Sequence, residues 1–258
     1  MSAIHAEPRE VTVDQCAWYH VMDVPGHGTM QGQWDLRETA DAYLGNLDFQ
    51  GKRVLELGTA SGFICFHMES KGADVVAVDL SPDHSWDLLL APSDDEQQLR
   101  ATMGVLQQKL NNAFWLGHGA YNSKASLVHS TVYDVPEELG QFDIVSLCAI
   151  LLHLRDPLLA LERAARRATE SVVIVERQPD WMKEIKGPFA RFMPTPEGKR
   201  PHGGWTWWHF SPDVLISMLK MLGFEHFELT TSKHLYVPTG NQLELYTLVA
   251  SRTDPSAA

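Results

Sequence analysis

The stretch Val54-Leu55-Glu56-Leu57-Gly58-Thr59-Ala60-Ser61-Gly62-Phe63 decides the fold, because an apolar run ends in a carboxylate and passes into a turn flanked by two glycines. A short Val/Leu run of this kind suits a parallel strand buried on both faces. Gly58 allows a tight turn, and Gly62 lets the next helix, read over 62–70, pack closely on the sheet. A second apolar run, Ala73 to Val78, ends in Asp79, 21 positions after Gly58, where an acid can bond a ribose diol. The bland alternative is an ordinary strand-turn-helix whose glycines serve packing alone.

The dinucleotide fingerprint G-x-G-x-x-G fails here, since Ala60 replaces the middle glycine that lets backbone approach a pyrophosphate. Glu56 is more telling. A carboxylate beside the turn repels a phosphate but suits a ligand with an ammonium and a sulfonium, as S-adenosyl-L-methionine (SAM) has. The pattern resembles the first motif, E/D-x-G-x-x-x-G, of the class I SAM-dependent methyltransferases, with Asp79 as the acid of their second motif. That resemblance implies a cofactor site built from Glu56, Gly58, Thr59, Ala60, Gly62, Phe63, Asp79, Leu80 and Ser81, with S-adenosyl-L-homocysteine (SAH) as product.

Composition narrows the class. With 258 residues, 44% of them hydrophobic, the chain can bury a full α/β core, read as an arm and cap over 1–50 and a domain over 51–258. Met1 to Glu10 has neither a basic start nor an apolar run, and no stretch approaches the ~20 apolar residues of a membrane span, so a cytoplasmic location without membrane contact is expected. Cys16, Cys65 and Cys148 lack disulfide or zinc spacing, and no metal is expected. The formal net charge of −12 disfavours nucleic acid as a partner.

Further along, Thr39 to Leu47 reads as a helix leading to the first core strand. The long connection after Asp79 contains Ser93-Asp94-Asp95-Glu96, read as a capping box, and a stripe of Leu99, Met103, Leu106, Leu110 and Phe114 that marks a core helix of about twenty residues. Ala125 to Val132 and Phe142 to Leu147 are the third and fourth strands. Ligands bind beyond the carboxyl ends of such strands, so Val132 and Tyr133 are expected at the adenine and Cys148 at the methionine part. Asp156-Pro157 starts a helix over 158–168, Ser171 to Glu176 is the fifth strand, and Ser211-Pro212 caps a helix that Gly223 ends. Two closing strands, 224–230 and 243–250, complete β-α units followed by a β-β pair. The expected architecture is the Rossmann-like, seven-stranded class I methyltransferase fold, a mostly parallel α/β sheet with one antiparallel strand.

Several segments resemble a narrower group. Trp18-Tyr19-His20, Trp34-Asp35-Leu36-Arg37, Leu151-Leu152-His153-Leu154-Arg155-Asp156-Pro157 and Trp207-Trp208 are similar to bacterial tRNA wobble-uridine methyltransferases that form methoxy- and carboxymethoxyuridine. Methyl transfer is an in-line displacement that needs alignment and sometimes a base. His153, just past the fourth strand, and His20 are the candidate bases, each set against a purely structural histidine. Arg37 is read as pairing with the cofactor carboxylate. Residues 177–210 interrupt the fold and hold half of the eight tryptophans, with six basic residues against three acidic ones. This insertion is read as a substrate cover in which Tyr19, Trp205, Trp207, Trp208 and His209 meet a planar or anionic small molecule; core tryptophans in a solvated loop are the alternative. Three functions stay open: a small-molecule methyltransferase, a tRNA-modifying methyltransferase, and a SAM-binding protein without catalysis.

Overall fold

The computed structural model describes residues 4–88, 94–193 and 206–253. The N-terminal arm supplies β1 (Met22–Val24), β2 (Gly28–Met30), β3 (Trp34–Asp35) and a single helical turn, α1 (Ala40–Tyr43). Next come β4 (Arg53–Leu57), α2 (Phe63–Ser70), β5 (Asp74–Asp79), α3 (Glu96–Tyr121), β6 (Ser126–His129), β7 (Phe142–Cys148), α4 (Pro157–Ala165) and β8 (Ala168–Glu176). The chain then forms α5 (Asp180–Lys183), β9 (Ala190–Phe192), β10 (Trp208–Phe210), α6 (Pro212–Met221), β11 (His226–Tyr236) and β12 (Asn241–Ser251).

The main sheet has the order β3-β11-β12-β8-β7-β4-β5-β6. Strands β8, β7, β4, β5 and β6 are mutually parallel, and β12 runs antiparallel between β8 and β11. This is the expected Rossmann-like methyltransferase sheet, with one addition. The arm strand β3 pairs antiparallel with the outer edge of β11, at Leu235↔Asp35 and Tyr236↔Trp34, making eight strands rather than seven. Trp34 and Tyr236 lie 4.9 Å apart there, so an aromatic cross-strand pair protects an edge that would otherwise stand open.

Both faces of the parallel strands are covered, which explains their nearly continuous apolar runs. Leu55, Leu57, Val145 and Leu147 face α4 and α6, whereas Val54, Ile144, Val173 and Val175 face α2, the middle of α3 and the arm. Strand alternation then fixes the site. Glu56 follows Val54 by two and Ser146 follows Ile144 by two, so both side chains turn to the α2 side, as register neighbours on β4 and β7.

Several boundaries differ from the sequence reading for local reasons. The α1 helix is one turn instead of 39–47 because Gly45 and Asn46 both adopt positive φ, 70° and 55°. The cap of α3 is Asp95, whose side chain accepts from the Gln98 N–H; Ser93 lies outside the described residues. That helix runs for 26 residues. Strand β6 stops at His129 because the Ser130 hydroxyl donates to the Asp134 carbonyl at 2.9 Å and the Thr131 hydroxyl to the Asp134 carboxylate at 3.1 Å, folding 130–134 into a turn. Ala168 belongs to β8 and not to the preceding helix, which ends at Ala165.

Candidate active site

The carboxyl ends of β4, β5, β7 and β8 bring Glu56, Asp79, Cys148 and Glu176 to one edge of the sheet. From β4 the chain turns through Gly58, Ala60 and Gly62, with φ of 83°, 51° and 89°. Both glycines are required by space as well as by backbone. A Cβ on Gly58 would meet Ile150 Cδ1 at 3.0 Å, and one on Gly62 would lie 2.6 Å from Phe66 Cε2. Ala60 holds the left-handed conformation without being glycine, secured by its N–H donating to Asp79 Oδ2 at 2.6 Å.

Glu56 is 3% exposed, and its Oε2 has no hydrogen-bond partner among the described residues. Thr59 Oγ1, at the turn, and Ser146 Oγ, beside Glu56 on β7, are likewise buried and unpartnered. Burial pushes the Glu56 carboxyl up to about 8; the Thr59 hydroxyl, near it but outside hydrogen-bond geometry, opposes the rise, and the charge of Asp79 adds to it. An unpaired buried carboxyl with two idle hydroxyl oxygens in the same region is a strongly unfavourable arrangement unless a donor, best a cation, completes it.

Asp79 is held from three directions. Its Oδ1 accepts from the Leu80 N–H at 2.7 Å and from Gln107 Nε2 at 3.0 Å, and Oδ2 accepts from Ala60. Gln107 also donates to Asn111 Oδ1 at 2.9 Å, and Asn111 Nδ2 donates to the Leu80 carbonyl at 3.0 Å. Burial raises the Asp79 pKa, and these donors oppose the rise. One lone pair on Oδ2 is left for an outside hydroxyl. Gln107 and Asn111 are buried polar residues on α3, tied to Asp79, that the sequence reading missed while taking the helix's apolar stripe as core. The signal was there, in amides spaced four apart midway along a helix, on the side that its apolar residues bury.

The arm reaches this turn directly. The Tyr19 N–H donates to Ser61 Oγ at 3.2 Å, and the Tyr19 carbonyl accepts from the Gln33 and Trp34 N–H groups. Burial raises the Tyr19 hydroxyl to about 12. His20 is buried between Tyr19 and Phe63, at 4.8 and 5.5 Å between ring centroids, and burial lowers it to about 3. An imidazole so hard to protonate accepts a proton poorly near neutral pH, which weighs against His20 as a base. Arg37 also departs from expectation. Its guanidinium pairs with Asp23 at 2.9 Å and Asp35 at 2.7 Å, so the arm's own acids occupy the group read as a cofactor clamp.

The segment after Asp79 folds back over the same edge. Ser81, by its N–H and its hydroxyl, bonds His84 Nδ1. The Asp87 carboxylate accepts from the Tyr133 hydroxyl at 2.5 Å and the Arg155 N–H at 2.8 Å, while the Asp87 carbonyl accepts from Trp207 Nε1 at 3.0 Å. Tyr133 therefore fastens this loop, and Val132 beside it packs against the core on the α4 side of the sheet. His153 lies in a short 3₁₀ turn, Leu151–His153, just past β7. Glu176 faces that turn, accepts from the Leu152 N–H at 3.3 Å, and is pushed up to about 8 by burial.

Within the cover, β9 and β10 pair as an antiparallel ribbon. Trp208 and Phe210 turn to the α4/α6 core, and Trp208 Nε1 donates to the Leu154 carbonyl at 2.9 Å. Trp208 is thus a packing residue, contrary to its reading as a pocket wall. Alternation puts Trp207 and His209 on the other face. Trp205 lies outside the described residues. Among the described residues no group of three or more His, Cys, Asp or Glu side chains is arranged for a metal, and no helix is long and apolar enough to cross a membrane.

A parallel sheet with a glycine turn after its first core strand, an acid after the second and an antiparallel strand inserted near one edge defines the α/β architecture of methyltransferases. Residues 31–229 match the methyltransferase domain family, and the chain belongs to it. Solved structures share the fold. The N-terminal domain of EvdMO1 with SAH bound superposes with a TM-score of 0.55 and 19% identity, over 92% of each chain. Magnesium protoporphyrin IX methyltransferase (ChlM) from Synechocystis PCC 6803 with bound SAM gives 0.51 and 12%, over 84% of this chain and 78% of that one. Burkholderia thailandensis 1,6-didemethyltoxoflavin-N1-methyltransferase, with 1,6-didemethyltoxoflavin and SAH, gives 0.50 and 18%, over 85% and 78%. No curated protein sequence matches the chain significantly.

Proposed function

We propose that this methyltransferase binds SAM at the carboxyl ends of β4 and β5 and transfers its methyl group to a small-molecule acceptor held beyond β7 and β8. The observation that carries the cofactor assignment is the unpartnered, buried Glu56 carboxyl with Thr59 Oγ1 and Ser146 Oγ also idle. The residues fit the group: an ammonium supplies donors and positive charge to Glu56, and a ribose diol supplies a hydroxyl to the remaining lone pair of Asp79. Gly58, Thr59, Ala60, Gly62 and Phe63 shape the turn against it, Leu80 and Ser81 border the ribose, and Cys148 borders the methionine chain. When bound, SAM supplies an electrophilic methyl on a sulfonium. The protein's own part is alignment and exclusion of water, by the Tyr19–Ser61 contact on one side and the Asp87–Trp207 clasp on the other.

The net charge of −12 supports a small acceptor over RNA. The fold itself is neutral on the acceptor, since its neighbours include methyltransferases named for a toxoflavin precursor and a porphyrin and one named as a putative RNA methyltransferase. His153 and Glu176, which meet at the turn just past β7, are read as the groups that take a proton from the acceptor. Labelled methyl transfer from SAM tests the reading. Incorporation into bulk tRNA, with none into a low-molecular-mass fraction of a cell extract, would overturn it.

A further inference from the structure

One face of the β9–β10 ribbon, together with the start of the segment after β8, carries basic side chains that the cofactor site does not use. His209 and Arg191 are register partners, so their side chains project together, on the face that also holds Trp207. The Trp181 ring from α5 lies across them. Arg191 sits 4.6 Å above its centroid, and the His209 ring is 6.4 Å away at 35°. Arg177, the first residue after β8, acts on the same histidine.

Neither Arg177 nor Arg191 forms an ion pair with another described residue; the charge of Asp180 reaches Arg177, but its carboxylate is bonded to Lys183 at 2.9 Å. Lys183 is in turn shared with Glu244 at 2.6 Å. His209 Nδ1 is buried and has no partner among the described residues. Burial first, and then the charges of Arg177 and Arg191, lower the histidine to about 4, so it stays neutral at physiological pH and can turn an N–H toward an incoming acceptor. Two guanidiniums outside any ion pair, an idle imidazole nitrogen and an aromatic wall make a receptor for a flat molecule ending in an anion.

We propose that Arg177, Arg191 and His209 form a docking site for a carboxylate or phosphate group carried by the methyl acceptor, with Trp181 as its wall. The position suits that role, because Arg177 directly follows the carboxyl end of β8, beyond which the proposed function puts the acceptor. The inference rests on that placement, and it narrows the acceptor from any small molecule to an anionic one. The anion docks on the cover and leaves the Glu56 turn to the cofactor.

The test titrates benzoate, phenyl phosphate and neutral benzyl alcohol into the full-length protein, with and without saturating SAH, following the tryptophan indole N–H resonances. At least one anion should shift the Trp181 signal saturably and bind about tenfold or more tighter than benzyl alcohol. The tighter of benzoate and phenyl phosphate identifies the group. Arg177→Gln combined with Arg191→Gln, both at exposed positions, should weaken the anion about tenfold or more while SAH affinity stays within about twofold. The His209 ring should titrate at higher pH with the anion bound. Equal binding of benzyl alcohol, or anion binding indifferent to the double substitution, would overturn the proposal. Anion binding that follows the arginines in a protein that fails to bind SAH would uphold the docking site and sink the cofactor assignment instead.

Discussion

Replacing Glu56 with glutamine keeps the shape of the turn and removes the charge that the cofactor assignment depends on. In the unliganded protein Glu56 is 3% exposed and its pKa is raised to about 8, so at about pH 7 roughly nine molecules in ten hold a proton there. An ammonium placed against this group needs the carboxylate, and binding must expel the proton. Linkage then gives two results: SAH affinity rises by about tenfold per unit between about pH 6 and pH 7 and flattens past about 8, and nearly one proton is released per molecule bound at about pH 7. Calorimetry in buffers of different ionisation enthalpy reads the proton, and the affinity series reads the slope.

In Glu56→Gln both effects should vanish, and affinity at about pH 8 should fall on the order of 10- to 100-fold, from roughly 1.5 to 3 kcal/mol for hydrogen bonds to a charged group. Glu176→Gln is the control, since Glu176 is also raised to about 8 by burial yet belongs to the acceptor side. It should keep the slope. The unliganded stability has the matching sign: a raised carboxyl pKa contributes fully below its ordinary value near 4.5, and the contribution is lost as pH rises through about 8. Wild-type protein should therefore lose stability over that interval, and Glu56→Gln should flatten the loss. Binding of SAH without proton release, or a slope that survives in Glu56→Gln, would refute the assignment.

Other outcomes follow from the same contacts. Gln107→Leu removes a donor from Asp79 and should weaken SAH about three- to tenfold, near 1 kcal/mol, with folding retained; unchanged affinity in calorimetry would mean the amide ladder does not serve the site. Gly62→Ala places a Cβ 2.6 Å from Phe66 Cε2 and 2.9 Å from Phe114 Cδ2 at φ 89°, and urea unfolding should show a loss of about 1 to 3 kcal/mol. A midpoint equal to wild type would contradict the packing. Trp207→Phe keeps a ring and deletes the bond to the Asp87 carbonyl, so amide exchange over 81–88 should quicken while the α4/α6 core is unaffected. Bulk tRNA should show no submicromolar binding in about 150 mM salt, measured by filter retention.

The order of strands was legible because each parallel strand is buried on both faces and ends at a turn signal; β4, β5, β7 and β8 all fall where apolar runs meet Glu56, Asp79, Cys148 and Glu176. The glycine turn was legible for a related reason, since Gly58 and Gly62 answer a purely local demand, positive φ with no room for a side chain. What sequence could not supply was any relation settled by distant parts of the chain. Arg37 reads as a free cation until folding puts Asp23, fourteen residues earlier, against it, and His20 reads as a base until Tyr19 and Phe63 enclose it. β3 is two residues long and exists only because β11 presents an edge to it.

Trp207 and Trp208 show the same limit at its smallest scale. As neighbours in a tryptophan-rich stretch they look equivalent, and a shared role in a substrate pocket is the natural reading. Once β10 is a strand they must point opposite ways, and the direction is chosen by Phe210, which shares a face with Trp208 and is buried in the α4/α6 core. Trp207 is left facing the Asp87 loop, in company with His209. The division of labour in the cover therefore follows from one packing choice: the ring that joins the core holds the ribbon in place, and the opposite face is free to present Arg191 and His209 to whatever enters beyond β8. A substitution that exchanged these faces, by shifting β10 one residue in register, would turn His209 into the core and away from Arg191, and expose the core ring, so the proposed docking site depends on a strand three residues long.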